Sequence, residues 1–354
     1  MSCATVIPVS DRSRIGEARR VAVQQSVIAK FTSTDQGRVA IVATELATNL
    51  LNHAKNGQFV VQVVPTSIGL AVEILSIDSG PGIANVERSL RDGFSTGGTS
   101  GNGLGAVRRL SDEFDIYSQP ERGTILFASL LGRANSTPDS IAESHKTSNR
   151  LPGRYGVVWS GISIPIRGEE VCGDTWLALG DEDQLAIMVA DGLGHGPLAA
   201  EASVKAVAAL AAEPAAIPGT ILRKAHQALA GTRGAAVAMA RVHLSDGVLK
   251  YAGIGNISGS LFCGMDERGL SSQNGIVGVQ MRSIREFDYP ILCPGMLVMH
   301  SDGLQSRWGF DDYPGLRLRH PMVMIGVLLR DFARGRDDVT IVIARWDSVK
   351  AQTS

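Results

Sequence analysis

Four aspartates stand where apolar runs begin or end. Asp174 follows a glycine in "EEVCGDTW", and Asp191 closes "LAIMVAD" and opens "DGLGHG". Asp302 closes "MLVMHSD", and Asp337, next to Asp338, opens "DDVTIVIARW". A carboxylate at the end of a buried strand is costly unless something neutralises it, and a glycine-rich turn lets the backbone approach that partner closely. Taken singly, each is a turn or capping aspartate. Together, at strand ends in one strand-rich stretch, they suggest a shared oxygen-ligand site. Without clustered His or thiolates, such a site prefers Mg²⁺ or Mn²⁺ to Zn²⁺.

A second constellation lies earlier. In "IVATELATNLLNHAKNG" the apolar residues recur at helical spacing, and Glu45, Asn49 and His53 fall four apart on one stripe. Alone, that stripe reads as a solvated helix face. However, a β-run leads into "DSGPGI", Asp78 to Ile83, and "GNGLG", Gly101 to Gly105, then opens a helix. Glycine turns at two such junctions, the first headed by a carboxylate, suit a nucleotide: amides and a helix N-terminus for phosphates, an acceptor for an amino group on the base.

The elements that must position these residues fall into two halves. Helices are expected at about 14–30, 36–55 and 104–112, with strands at "QFVVQVVPT", "LAVEILSID", "EFDIYSQ" and "GTILFASL", which make an α/β layer. The stretch "GRANSTPDSIAESHKTSNRLPG" has only Ile141 and Leu151 as large aliphatics and reads as a linker. Beyond it come many short β-runs around helices near 197–212 and 218–230. The expected division is a domain at 1–133, a linker at 134–152 and a domain at 153–348. With 354 residues the chain can fill two cores, and a net charge of −1, balanced in both halves, argues against a nucleic-acid platform. Four cysteines without CxxC spacing, an N-terminus too charged for a signal peptide and no long apolar run make a cytoplasmic protein the expectation, with no membrane partner.

The series "ELATNLLNHA", "DSGPGI" and "FSTGGTSGNGLGAVRRLSDEFDIYSQPERGT" resembles the GHKL, or Bergerat-fold, ATP-binding family over about residues 10–131, and most of all its RsbT-type and anti-sigma-factor serine kinases. The resemblance implies that Asn49 holds the Mg²⁺ bridging the ATP phosphates and that Asp78 accepts from the adenine amino group. It also implies that Gly80 and Gly82 shape the adenine pocket, and that Thr124 lies near the base. Gly101, Gly103, Leu104 and Gly105 would cradle the phosphates under a lid at about 85–100, with Glu45 as general base. No His precedes Glu45 in this sequence, so no phospho-accepting histidine upstream is expected, and His53 is read as structural.

The order "GD", "DGLGHG", "RGAAVA", "SDGL", "DDVT" is similar to the SpoIIE/RsbX branch of the PPM metal-dependent protein phosphatases over about 153–347. It implies that Asp174 and Asp191 share two metals, that the Gly192 carbonyl is a further ligand, and that Asp302 and Asp337 complete one metal, with hydrolysis of a phosphoserine or phosphothreonine. Asp337 aligns with the ligand position better than Asp338 does. His195 is read either as a proton donor to the leaving serine or as a cap for the next helix. Here "CGDTW" has Cys172 where relatives often carry a second glycine, and no acidic residue follows closely.

The fold class implied is a two-domain α/β chain: an N-terminal Bergerat-fold α/β sandwich and a C-terminal PPM-type α/β/β/α sandwich with a strand-rich core. The function implied is a bifunctional partner-switching regulator that phosphorylates and dephosphorylates a STAS-domain antagonist in bacterial stress or sigma-factor signalling, with ATP and Mg²⁺ in one half and Mn²⁺ or Mg²⁺ in the other. A sigma factor or a stressosome-like scaffold is a further expected partner. The alternative is an ATP-binding anti-sigma or STAS-binding switch without kinase turnover, fused to an active phosphatase.

Overall fold

The computed structural model describes residues 3–66, 69–90, 103–132, 150–151, 155–180, 183–264, 266–292 and 294–348. Its contacts divide the chain into two compact units, one of Ser2–Ser144 with Gly309–Asp331, the other mainly of His145–Trp308 with Phe332–Ser354. Thus a segment from late in the sequence belongs to the first unit.

In the first unit, β1 (Thr5–Pro8), α1 (Arg12–Ile28) and α2 (Ser33–His53) precede β2 (Gln58–Thr66), β3 (Gly69–Ile77), the short α3 (Val86–Ser89), α4 (Gly103–Leu110), β4 (Glu113–Gln119) and β5 (Gly123–Leu131). Asp11 caps α1 by accepting from Ser13 N at 2.8 Å. Thr32 caps α2, accepting from Asp35 N at 3.2 Å while its hydroxyl reaches Asp35 Oδ2 at 2.8 Å. Such caps satisfy orphan amides of the first turn, each worth about 1 kcal/mol. The antiparallel sheet runs β1-β2-β3-β5-β4.

Strand alternation gives this sheet two faces. Val72 and Ile74 of β3, with Leu126, Ala128 and Leu130 of β5, join the core formed with Ala18 and Ala22 of α1 and Val39, Val42, Ala43, Leu46 and Leu50 of α2. The opposite face carries Leu75, Ile125 and Phe127, all buried. Against it lies the late segment with its helix α7 (Pro321–Phe332): Gly326 comes so close to Ile125 that a Cβ would overlap its side chain, and the His320 ring stacks on Phe127 with centroids 4.4 Å apart. The sequence reading expects two helices after the linker, and α7 is a third. Its run "PMVMIGVL" is buried at every position, so it has no polar face from which a helical period could be read.

The second unit holds β6 (Arg150–Leu151), β7 (Tyr155–Ile164), β8 (Asp174–Gly180), β9 (Gln184–Gly192), α5 (Pro197–Ala212), α6 (Pro218–Ala228), β10 (Ala235–His243), β11 (Val248–Ile254), β12 (Ser258–Cys263), β13 (Asp266–Gly269), β14 (Phe287–Pro290), β15 (Gly295–His300) and β16 (Val339–Ser348). They form two antiparallel sheets, β14-β11-β10-β9-β8 and β13-β12-β15-β16-β7-β6. Inward residues of both sheets, among them Trp159, Ile187, Val189, Leu297, Val342 and Trp346, fill one core between them. α5 and α6 cover the outer face of the first sheet through Ala202, Ala206, Leu210, Ile221 and Leu222. Pro197 and Pro218 start these helices at positions whose N–H would be unsatisfied anyway. The chain is therefore a two-domain α/β protein with a strand-rich second domain. Among the described residues no helix is long and apolar enough to cross a membrane.

Candidate functional site

In the first unit, α2 presents Glu45 and Asn49 one turn apart and half-buried, with His53 exposed a further turn on. The N-terminus of α4 comes down over the first two. A Cβ on Gly103 would stand 2.6 Å from Glu45 Oε2, so a larger residue here would push the Glu45 carboxylate aside. Leu104 packs partly into the α1/α2 core and Gly105 is buried. Gly101 lies outside the described residues, as do 91–100 of the expected lid. Asn49 Nδ2 is buried without a hydrogen-bond partner. An orphan donor beside a helix N-terminus fits an anionic acceptor such as a phosphate oxygen, with Asn49 Oδ1 available to a cation.

Asp78 follows the end of β3. Its Oδ1 accepts from Gly80 N at 2.6 Å, and its own N–H donates to Thr124 O at 3.0 Å. Burial pushes its pKa up, while hydrogen bonds from Gly80 and Thr124, then Arg330 and His53, oppose this. The loop is strapped to the β4–β5 hairpin: Ser118 Oγ accepts from Ile83 N at 2.7 Å and shares a 2.9 Å hydrogen bond with Thr124 Oγ1, and Gly82 lies against Gln119 O. Ser118 was not anticipated from the sequence, because its role arises from a contact 35 residues away. Beside Glu45 a groove of about 400 Å³ opens, lined by Arg19, Gly37, Ala40, Ile41 and Thr44.

In the second unit, the β8–β9 register sets Asp174 directly opposite Asp191. Side chains so paired have Cβ atoms about 5 Å apart, close enough for two carboxylates to repel. Burial, then Asp191, raises the pKa of Asp174 well above the ordinary carboxylate value, and Asp174 Oδ2 is buried with no partner. Asp191 is pushed up to about 7, first by burial and then by Asp302 and Asp337. Asp302 is raised by burial and by Asp337, and its Oδ2 accepts from Asn256 Nδ2 at 2.7 Å. Mutually raised carboxylates and an orphaned oxygen fit a hard cation, which would relieve both. The side chains are not drawn into a closed shell: among the described residues no three His, Cys, Asp or Glu groups are close enough to grip one ion.

The neighbours Asp337 and Asp338 differ. Asp338 is buried and accepts from Ile166 N and Gly173 N, both at 2.6 Å, so its two oxygens tie down the turn before Asp174. Asp337 is exposed and acts on Asp191 and Asp302. Gly192 is pressed against the first turn of α5, where a Cβ would collide with the Ala199 carbonyl. The His195 ring does not cap α5, whose N-cap makes no side-chain hydrogen bond; its Nδ1 meets Glu169 Oε1 at 2.9 Å. Glu169 and Asn256 escaped sequence reading because neither lies in a motif. A hollow of about 320 Å³ is lined by Asn256, the partner of Asp302, with Ser258, Ser260, Glu267, His300 and Trp308.

Residues 9–129 match the histidine kinase-like ATPase domain, and residues 181–347 match stage II sporulation protein E (SpoIIE). Over 94 residues the chain is 38% identical to the serine/threonine-protein kinase RsbT of Bacillus subtilis, covering 27% of this chain and 71% of RsbT. The chain belongs to the histidine kinase-like ATPase family and carries a SpoIIE domain after it. The SpoIIE domain is 29% identical over 90 residues to the phosphoserine phosphatase RsbX of the same organism, 25% of this chain and 45% of RsbX, so the match spans less than half of that relative. A solved structure described under "The bacterial stressosome: a modular system that has been adapted to control secondary messenger signaling" superposes with a TM-score of 0.50 at 27% identity, covering 53% of this chain and 99% of its own. The chain thus joins a kinase-like domain to a PPM-fold phosphatase domain.

Proposed function

We propose that this chain is a bifunctional partner-switching regulator: an ATP-dependent protein-serine kinase in its first unit and a metal-dependent phosphoserine/phosphothreonine phosphatase in its second, acting on a STAS-domain protein. The observation that carries the reading is that both centres bear reactive groups rather than binding groups alone. Glu45 stands one turn from Asn49 beneath the α4 N-terminus, and the second unit holds three aspartates, Asp174, Asp191 and Asp302, each raised by burial and by a neighbouring carboxylate.

In the kinase half, Mg²⁺ would neutralise charge on the ATP phosphates. Asn49 would hold it, the amides of α4 from Gly103 to Gly105 would bind phosphate oxygens, and Asp78 would orient the adenine, with Thr124 behind it. Glu45 would accept the proton of the substrate hydroxyl, which enters along the groove bounded by Arg19 and Ile41. In the phosphatase half, Mn²⁺ or Mg²⁺ would supply an activated water and charge neutralisation, held by Asp174, Asp191, the Gly192 carbonyl, Asp302 and Asp337. Asn256 would fix the Asp302 carboxylate, and Asp338 would hold the Gly173 turn. The RsbT and RsbX likeness supports STAS-domain and stressosome-like partners in the cytoplasm.

The test is to incubate wild type and Asp191→Ala with Mg-ATP, Mn²⁺ and the STAS protein that each pulls down, and to read partner phosphorylation by mass spectrometry. Phosphate accumulating on a serine or threonine only with Asp191→Ala is the expected result. A partner left unmodified with ATP bound would make the first unit a binding switch and end the bifunctional reading.

A further inference from the structure

We infer that Arg330, which follows Asp302 by 28 positions and precedes Asp337 by seven in the sequence, is a positioning residue of the nucleotide pocket and sets its choice of base through Asp78. The inference rests on the reading of Asp78 as the base-recognising carboxylate. Nothing in the family motifs of the first half points to a residue so late in the chain.

Arg330 belongs to the same compact unit as Asp78. Its side chain is 4% exposed, and its Nη1 donates to the Asp78 carbonyl at 3.3 Å. The rest of the guanidinium is fixed: Nε donates to Asp331 Oδ1 at 2.9 Å and Nη2 to Asp331 Oδ2 at 2.7 Å. Such a two-point fork sets the plane of the group as well as its place. Asp331 Oδ2 also accepts from Tyr313 OH at 2.8 Å, and Arg122, on the β4–β5 turn, lies over the Tyr313 ring at 5.4 Å. The segment itself is pinned to the sheet. His320 N donates to Asp115 Oδ2 at 2.7 Å, Gln119 Nε2 donates to Asp312 O at 3.2 Å, and Gly326 sits on Ile125.

Asp78 is gripped from the other side as well. Gly123 has a φ of +87° and lies so close to the Asp78 carbonyl that a Cβ there would overlap it. The backbone of Asp78 is thus held between the hairpin and Arg330, and its carboxylate is aimed by Gly80 N. Charge adds to geometry. Burial raises the Asp78 pKa, and Arg330 is the larger of the two side-chain influences opposing this. An ionised carboxylate can only accept hydrogen bonds, so it pairs with the 6-amino group of adenine and repels the 6-oxo group of hypoxanthine, whereas a protonated carboxyl could donate to that oxygen. Losing the guanidinium frees the Asp78 backbone from its anchor, so the carboxylate aimed by Gly80 N is less well placed to accept from the adenine amino group. A charge favouring its ionised form goes with it, so adenine binding weakens and discrimination against a 6-oxopurine relaxes.

The experiment measures dissociation constants of Mg-ADP and Mg-IDP for the full-length protein by calorimetry, which avoids turnover. The variants are Asp78→Asn, Arg330→Lys and Arg330→Met, each checked for an unchanged nucleotide-free unfolding profile. Wild type is expected to prefer ADP by about tenfold or more, and Arg330→Met to lower that preference about fivefold, with IDP affinity held within about twofold. Arg330→Lys, which keeps the charge without the fork, should fall between. Asp78→Asn should collapse the preference. A collapse in Asp78→Asn with no change in the ratio for Arg330→Met, or equal weakening of both nucleotides, would reduce Arg330 to a structural tie and overturn the inference. An unchanged ratio in Asp78→Asn would instead remove the base-reading role on which it rests.

Discussion

The two candidate centres are built on opposite plans. Glu45 and Asn49 share one helix, and Asp78, Gly103 and Thr124 join them from elements within about eighty residues, with Asp78 held by backbone groups of Gly80 and Thr124. The aspartates of the second unit come from β8, β9 and the loops that follow β15 and precede β16, and what they share is repulsion. A site made from a helix N-terminus and amides is preorganised by local folding, whereas a site made from converging carboxylates is formed against its own electrostatics and needs a cation to settle. The first should tolerate loss of its metal and keep its shape. The second should not.

The largest effects should come from deleting charge at the acidic site. Asp174→Ala or Asp191→Ala is expected to lower Mn²⁺-dependent hydrolysis of p-nitrophenyl phosphate by about a thousandfold or more, while leaving nucleotide affinity at wild-type level. Comparable loss of both functions would contradict the independence of the two centres. Next in size, Glu45→Ala should slow phosphoryl transfer to the partner by about a hundredfold to ten-thousandfold with ATP affinity retained, whereas Asn49→Ala should lose affinity as well. Equal affinity losses in both variants would show that Glu45 serves binding and not proton transfer.

The comparison also predicts a pH signature of the second unit that a bound cation should remove. Asp191 titrates near 7 when folded and near its ordinary 3.8 when unfolded, so between these values the folded chain holds the extra proton. Cation-free protein should then lose stability as pH rises from about 4 to about 7, and Mn²⁺ should remove the slope. Thermal unfolding in EDTA across that range reads this directly. A melting temperature that climbs with pH would mean the carboxylates are not forced together.

The same contrast explains what the sequence discloses. The α2 stripe was legible because residues four apart must share a face, and the four aspartates because each ends or begins an apolar run. The β8–β9 register, which puts Asp174 against Asp191, was not written in any local pattern. Nor were Asn256 on Asp302, Glu169 on His195 or Arg330 on Asp78, each joined by folding across long stretches of chain. Helix α7 was hidden for the reverse reason, since burial on every side erases periodicity. Asp337 and Asp338 were adjacent in sequence, where alignment favoured Asp337 as the ligand, and their partners set them apart: Asp338→Asn should destabilise by about 1–3 kcal/mol through the Gly173 turn, and Asp337→Asn should chiefly weaken metal affinity.

The smallest effect sharpens the second centre alone. His195 is 58% exposed in its side chain and paired with a Glu169 that is 34% exposed, so the pair contributes less than about 1 kcal/mol to stability. Nδ1 is taken up by Glu169 and the side chain is exposed, so if the imidazole donates to a leaving group it does so through Nε2. An alkoxide leaving from phosphoserine needs a proton, and p-nitrophenolate does not. His195→Gln should therefore cut kcat on a phosphoserine peptide by about tenfold while leaving p-nitrophenyl phosphate turnover and the melting temperature nearly unchanged. Equal kcat on both substrates relative to wild type would show that the imidazole does not donate, and that Glu169 and His195 only staple the turn that carries Gly194 and Gly196.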